Sequence, residues 1–121
     1  MTSNGNVGVR GFSKNKVILL GVLMLPVFYV ASCEYISKTG RGAFEAVNIG
    51  DTRTSVIQNF GQPSHVEHPG LLYDAYAASP CKAPCAERLW FENRLSIGIE
   101  AWSVELDNGG RVVHKAYWMS P

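Results

Sequence analysis

Three cysteines and three histidines carry most of the reactive chemistry in this 121-residue chain. Cys81 and Cys85 stand around Lys82, Ala83 and Pro84. In an oxidising compartment, a turn at Ala83 and Pro84 brings two such sulfurs within bonding range, so the pattern points first to a disulfide. The loop it closes is very small, which makes its main effect local stiffening. A metal site is the alternative, because His65 and His68 would add imidazoles to the two thiols, a donor set that suits zinc or copper. No acid pattern that would orient those imidazoles accompanies them, and no metal or other cofactor is expected. A c-type haem is excluded, since the spacing is Cys-x-x-x-Cys and Ala86 follows Cys85 where histidine would be needed.

Catalysis has little else to stand on. Ser55, Ser64, Ser79 and Ser103 lie in no nucleophile-elbow pattern, and no glycine-rich phosphate cradle is present. His114 reads as a sheet residue with a satisfied hydrogen bond, so no enzyme is expected.

The third thiol, Cys33, has a different context. Lys14 and Lys16 precede an apolar run over residues 17–30, and Ala31 and Ser32 follow it. Basic residues, an apolar stretch and small residues in that order give a secretory signal. The run falls short of the ~20 apolar residues that span a bilayer comfortably, and Pro26 would interrupt a packed helix. Val30, Ala31, Ser32 and Cys33 resemble the lipobox of bacterial lipoproteins, whose cysteine takes a diacylglycerol and becomes the first residue of the mature chain. The bland alternative is a cysteine near the end of an uncleaved anchor. Two or three acyl chains hold a protein firmly where one does so marginally, at ~0.8 kcal/mol per buried CH₂. In the class resembled, aspartate after the cysteine favours inner-membrane retention. Glu34 stands there instead, which implies the outer membrane, with the domain facing the periplasm.

Charge supports the division at residue 33. Arg10, Lys14 and Lys16 sit in the leader without an acid, leaving eight of the eleven basic residues against all ten acids in residues 33–121, a formal −2. No basic patch of the kind nucleic acid demands is present. The expected organisation is a cleaved signal over 1–32, the lipidated cysteine and a flexible spacer over 33–42, and one small domain over 43–121.

Within that domain, Phe44 and Val47 are spaced for a helical turn or two. Residues 50–63 give the clearest local signal. Thr52 can cap a helix through its hydroxyl, Val56, Ile57 and Phe60 share a face, Gly61 can close the helix in the left-handed conformation, and Pro63 stops it. Residues 71–77 alternate weakly and fit a short strand or an ordered loop, and residues 88–91 read as a strand. Residues 99–107 and 111–119 form a hairpin around Asn108, Gly109 and Gly110. With Gly110 as a bulge residue, Leu106 should face Val112, Val104 should face His114 and Trp102 should face Ala116, all toward the helices. The other face, with Ala101, Ser103, Glu105, Val113, Lys115 and Tyr117, should be wet. The expected fold is α+β, a small two-layer domain with two short N-terminal helices on a three-stranded antiparallel meander.

That order of elements, with Gly50, Thr52, Val56, Gly61 and Pro63 in the capped helix and the hairpin from Val104 through Asn108, Gly109 and Gly110 to Val112, resembles the SmpA/OmlA (BamE-like) outer-membrane lipoprotein family. Residues 88–117 are most similar in spacing to its osmotically inducible member, OsmE. The family is that of an outer-membrane assembly factor, and residues 65–85 depart from that factor, being longer and holding two cysteines. The resemblance implies a non-catalytic interaction module in outer-membrane protein assembly or envelope integrity, with envelope proteins such as outer-membrane assembly components as partners. An osmotic-stress-responsive or ligand-binding lipoprotein outside that machine is the alternative, and periplasmic metal handling through Cys81 and Cys85 a third reading. For partner contact, Ser103, Glu105, Val113, Lys115 and Tyr117 are the candidates, on the face taken as open. Tyrosine and tryptophan among the remaining aromatics fill the core first and anchor partners second.

Overall fold

The computed structural model describes residues 13–76 and 78–120. The chain divides into two compact units, Met1–Ala31 and Ser32–Pro121. Within the first, the described residues from Lys14 onward are helical and those over 17–30 are all exposed. They belong to a helix, α1 (Lys14–Ala46), long and apolar enough to cross a membrane by length and composition, a test that a signal sequence also passes. Pro26 lies inside it. Since this stretch is exposed, the lost backbone bond at proline is not compounded by a disturbed core.

In the second unit, the expected flexible spacer over 34–42 is instead part of α1. Its buried positions explain why. Gly40 and Ala43 are its buried residues, and a Cβ at Gly40 would lie 2.3 Å from the Trp102 ring. Gly40 is therefore a close-packing residue, not a hinge. The expected turn or two around Phe44 is the end of this long helix, so the two short helices are one long and one short.

The short helix α2 (Arg53–Phe60) forms as its signals predict. Thr52 Oγ1 accepts the Ser55 backbone N–H at 3.1 Å, and Gly61, at φ +85°, donates its N–H to Ile57 O at 2.7 Å. Val56 is fully buried. The loop before α2 is stitched to the hairpin: Gly50 N–H donates to Val112 O, Val112 N–H to Asp51 O, and Arg53 N–H to Gly110 O.

The sheet has four antiparallel strands in meander order, β1 (His65–Glu67), β2 (Glu87–Glu92), β3 (Glu100–Leu106) and β4 (Val112–Met119). The fourth strand, absent from the sequence reading, is β1. Three residues are too few to show a period, and β1 exists because Val66 pairs with Leu89 and Glu67 with Arg88. Residues 71–76 form no strand and make only an isolated bridge from Leu71 back to His68.

The hairpin turn is held by Asp107, whose Oδ1 accepts from the backbone N–H groups of Gly109 and Arg111. Leu106 faces Val112 as expected, but the register then shifts between Leu106 and Glu105, so that Glu105 pairs with His114, Val104 with Lys115 and Trp102 with Tyr117. Val113 is the extra residue. A one-residue slip exchanges faces, so the expected Val104–His114 and Trp102–Ala116 pairs do not form. The tie of Val112 to Gly50 and Asp51, a contact distant in sequence, fixes that first pair and places the irregularity after it.

The helix side holds the main core: Val47, Val56, Leu89, Phe91, Trp102, Val104, Leu106 and Val112, with Phe44, Phe60 and Val66 packed around them. Each fully buried aliphatic or aromatic side chain here contributes about 1.5–3 kcal/mol. The opposite face is not wet. Ala101, Ser103 and Trp90 are buried there, beside the polar and aromatic groups described next.

Candidate functional site

Cys33 opens the first of two polar clusters in the domain. Among the described residues it is the free cysteine, and it is half-buried. Asn93, immediately after β2, reaches it: Nδ2 donates to Cys33 O at 3.2 Å and lies 3.6 Å from Cys33 Sγ. The same Nδ2 donates to Glu100 Oε1 at 2.9 Å, while Asn93 Oδ1 accepts the Leu95 backbone N–H. Asn93 therefore ties Cys33 to both ends of the loop between β2 and β3. Its backbone N–H, bonded to Glu100 O, closes that loop.

Glu100 completes the cluster. Its Oε2 accepts from Ser37 Oγ and from the Tyr117 hydroxyl, each at 3.0 Å. Ser37 and Arg41 lie four apart on α1 and so share a face. Burial alone would raise the Glu100 carboxyl. The hydrogen bonds from Asn93, Tyr117 and Ser37, with the nearby Arg41 charge, outweigh it and hold the group below the usual glutamate value. Tyr117 moves the other way, raised by burial and then by its bond to Glu100. Three hydrogen bonds, beside the Arg41 charge, make this carboxylate a fastener between α1, β4 and the loop after β2.

The second cluster covers the far face of the sheet. Glu67 is 1% exposed and accepts from Arg88 Nη1 at 3.0 Å, from Trp90 Nε1 at 3.3 Å and from the Tyr73 backbone N–H at 3.4 Å. Arg88 also donates to Ser79 O and to Glu105, which lies 3.3 Å from His114 Nδ1. Tyr76 stacks on Trp90 at 4.7 Å, and Trp118 donates through Nε1 to Ser103 Oγ at 3.0 Å. Burial, followed by the Glu92 carboxylate, pushes the Tyr73 and Tyr76 hydroxyls up to about 12. The Cys81–Cys85 disulfide, expected from the sequence, is present, with both residues 3% exposed and Cα atoms 5.4 Å apart.

The disulfide occupies both thiols that a metal would need. His65 stacks on Tyr73 at 3.9 Å, and among the described residues no group of three or more His, Cys, Asp or Glu side chains gathers that could hold a metal ion.

The five residues expected to form one partner surface do not share a face. Ser103 is buried, and Glu105 sits in the charged chain on the far face. Lys115 and Tyr117 lie on the helix side, where the ammonium of Lys115 stands over the Phe44 ring at 4.4 Å and Tyr117 stacks on Trp102 at 5.8 Å. Val113, the bulge residue, is half-buried between them. Asn93, Glu100 and Ser37 were not among the sequence candidates. Their convergence on Cys33 depends on contacts up to 63 residues apart, which no local pattern encodes.

A cavity of about 220 Å³ lies between α1, the end of α2 and the sheet, lined by Tyr35, Ile36, Phe60, Phe91 and Trp102 among others. Trp102 Nε1 is buried without a hydrogen-bond partner among the described residues. No family model, curated protein or solved structure matches this chain.

Proposed function

We propose that this chain is a lipid-anchored envelope lipoprotein, held at the outer membrane through Cys33 and facing the periplasm. It acts there as a non-catalytic interaction module in outer-membrane protein assembly or envelope integrity, the role its resemblance to the SmpA/OmlA lipoproteins implies. The observation that carries the reading is a coincidence of boundaries. The compact domain begins at Ser32, one residue from the cysteine at which the lipobox pattern would cut, and residues 17–30 before it are an exposed apolar stretch of helix. The reading also draws support from the disulfide, which needs an oxidising compartment.

Metabolic labelling with a clickable fatty acid tests it. Label on the wild-type chain and none on Cys33→Ser supports the proposal; equal labelling of both, or of neither, removes it. Crosslinking in cells followed by co-purification then identifies the partner class, with barrel-assembly components expected.

The cavity under Trp102 favours a second reading, a ligand-binding lipoprotein outside that machine, because an unpaired buried indole N–H can donate to a bound acceptor. That reading predicts a co-purifying small molecule released on denaturation and no assembly protein in the crosslinked fraction.

A further inference from the structure

We propose that the loop 94–99, with Met119 beside it, dips into the surface of the same bilayer that holds Cys33, so that the domain stands on the membrane on this one end. The inference rests on membrane attachment at Cys33 and adds the orientation of the domain and the residues that touch lipid.

The geometry starts from Asn93. One side chain holds both Cys33 and the start of the loop, through Cys33 O at 3.2 Å and the Leu95 backbone N–H at 3.2 Å. Residues 34–42 are helical and packed on Trp102 through Gly40, so no slack chain separates the attachment point from the sheet. A cysteine carrying acyl chains must itself lie at the headgroup boundary, and whatever is bonded to it lies within a few ångströms of that boundary. The loop has nowhere else to be.

Its surface suits that place. Ile97 is 96% exposed, an aliphatic side chain aimed wholly at solvent, and Ile99 is 42% exposed. Met119 pairs with Glu100 at the end of β4 and is 69% exposed, and the Ser120 N–H donates to Ile99 O, which holds the strand end against the loop. Tyr35, two residues after Cys33, is 72% exposed. Four large apolar or aromatic side chains thus sit unburied around the one residue that a lipid would modify. Arg94, exposed at the head of the loop, is placed for headgroup phosphates. Isolated exposed aliphatics need no explanation, but a group gathered at a membrane attachment point does. At the other end of the sheet, the exposed turn residues Asn108 and Gly109 are polar or small; Ile49, Leu71 and Leu72 are exposed toward that end as well, and what singles out the loop 94–99 is its bond to Cys33 through Asn93.

The test uses the full chain extracted from membranes and reconstituted into phosphatidylcholine vesicles containing brominated lipid. An environment-sensitive fluorophore is placed at Ile97→Cys or, as the far-end reference, at Asn108→Cys; both sites are exposed, so neither change threatens folding. β3 separates them by about 20 Å, while interfacial segments enter lipid by about 5–10 Å. The chain should float with the vesicles, and the probe at 97 should be blue-shifted and quenched by the bromine at least about threefold more than the probe at 108. If the chain floats while both probes remain equally unquenched, the loop is not in lipid and this inference fails alone. A blue shift at 97 without quenching means that protein covers the loop, and also overturns it. If the chain does not float, attachment at Cys33 fails and the loop inference falls with it.

Discussion

The two faces of the sheet are covered by different means. On one, α1 and α2 lay apolar side chains over Leu89, Phe91, Trp102, Val104 and Leu106, and the helices satisfy their own backbone groups. On the other, an irregular segment, which cannot do that, lies over Arg88, Trp90 and Ser103. It is held by a buried ion pair, an aromatic stack and a disulfide. Helical cover needs only volume, whereas loop cover needs specific partners for every polar atom it buries.

The largest effect should come from the helix side. Trp102→Ala removes the ring against which Gly40, Phe60 and Tyr117 pack, and should lower stability by about 3–5 kcal/mol in urea unfolding. No partner change should rescue it. On the loop side, Glu67→Gln removes the nearer and fully buried of the two carboxylates that pair with Arg88, leaving only Glu105 at 3.4 Å, and should cost about 3 kcal/mol. Here rescue is expected: Glu67→Leu with Arg88→Met should recover most of the loss, since an apolar pair can replace a buried charge pair. Failure of that double variant would mean that the contacts to Ser79, Trp90 and Tyr73 matter more than the charges.

Opening the disulfide is a smaller perturbation. Cys81→Ser with Cys85→Ser should cost about 2 kcal/mol or less, because the closed loop is short, and the loss should appear as faster amide exchange in residues 68–86 while the helix side stays protected.

The titrations are the finest probe. Glu100 is held below the ordinary glutamate value, so the stability it adds is complete above about 4.3 and disappears as pH falls through its lower folded value. Glu100→Gln should flatten the acid limb of the stability profile. Tyr73 and Tyr76 lie at about 12, above the ordinary value of about 10, so their contribution is complete below about 10 and disappears as pH rises toward about 12. Tyrosinate absorbance should show Tyr73, Tyr76 and Tyr117 titrating late and becoming ordinary on unfolding.

What could be read in advance follows the same division. The α2 cap at Thr52, its closure at Gly61 and the hairpin turn at Asp107–Gly110 rest on neighbours in sequence, and all three formed where their residues predict. The disulfide did too, since its partners are four residues apart. The register of β4 is not legible locally because Val112 answers to Gly50 and Asp51, and β1 is not because it is made by Leu89 and Arg88, not by its own three residues. The face taken as wet is buried for the same reason. Ser103 and Glu105 look like surface residues by type, and their cover comes from Trp118, Arg88 and His114 on neighbouring strands, with Ser79 of the returning segment bonded to Arg88. Gly40 carries the opposite lesson: beside Gly42 it looks like slack chain, but it packs so close to the Trp102 ring that no Cβ fits there.

The membrane tether is the claim on which orientation and function both depend, and intact-mass spectrometry of the detergent-extracted protein measures it directly. The account predicts a chain beginning at Cys33, heavier than its residues by two or three acyl chains. A chain that retains residues before Cys33 and carries that thiol unmodified, recovered from the soluble fraction, would contradict it.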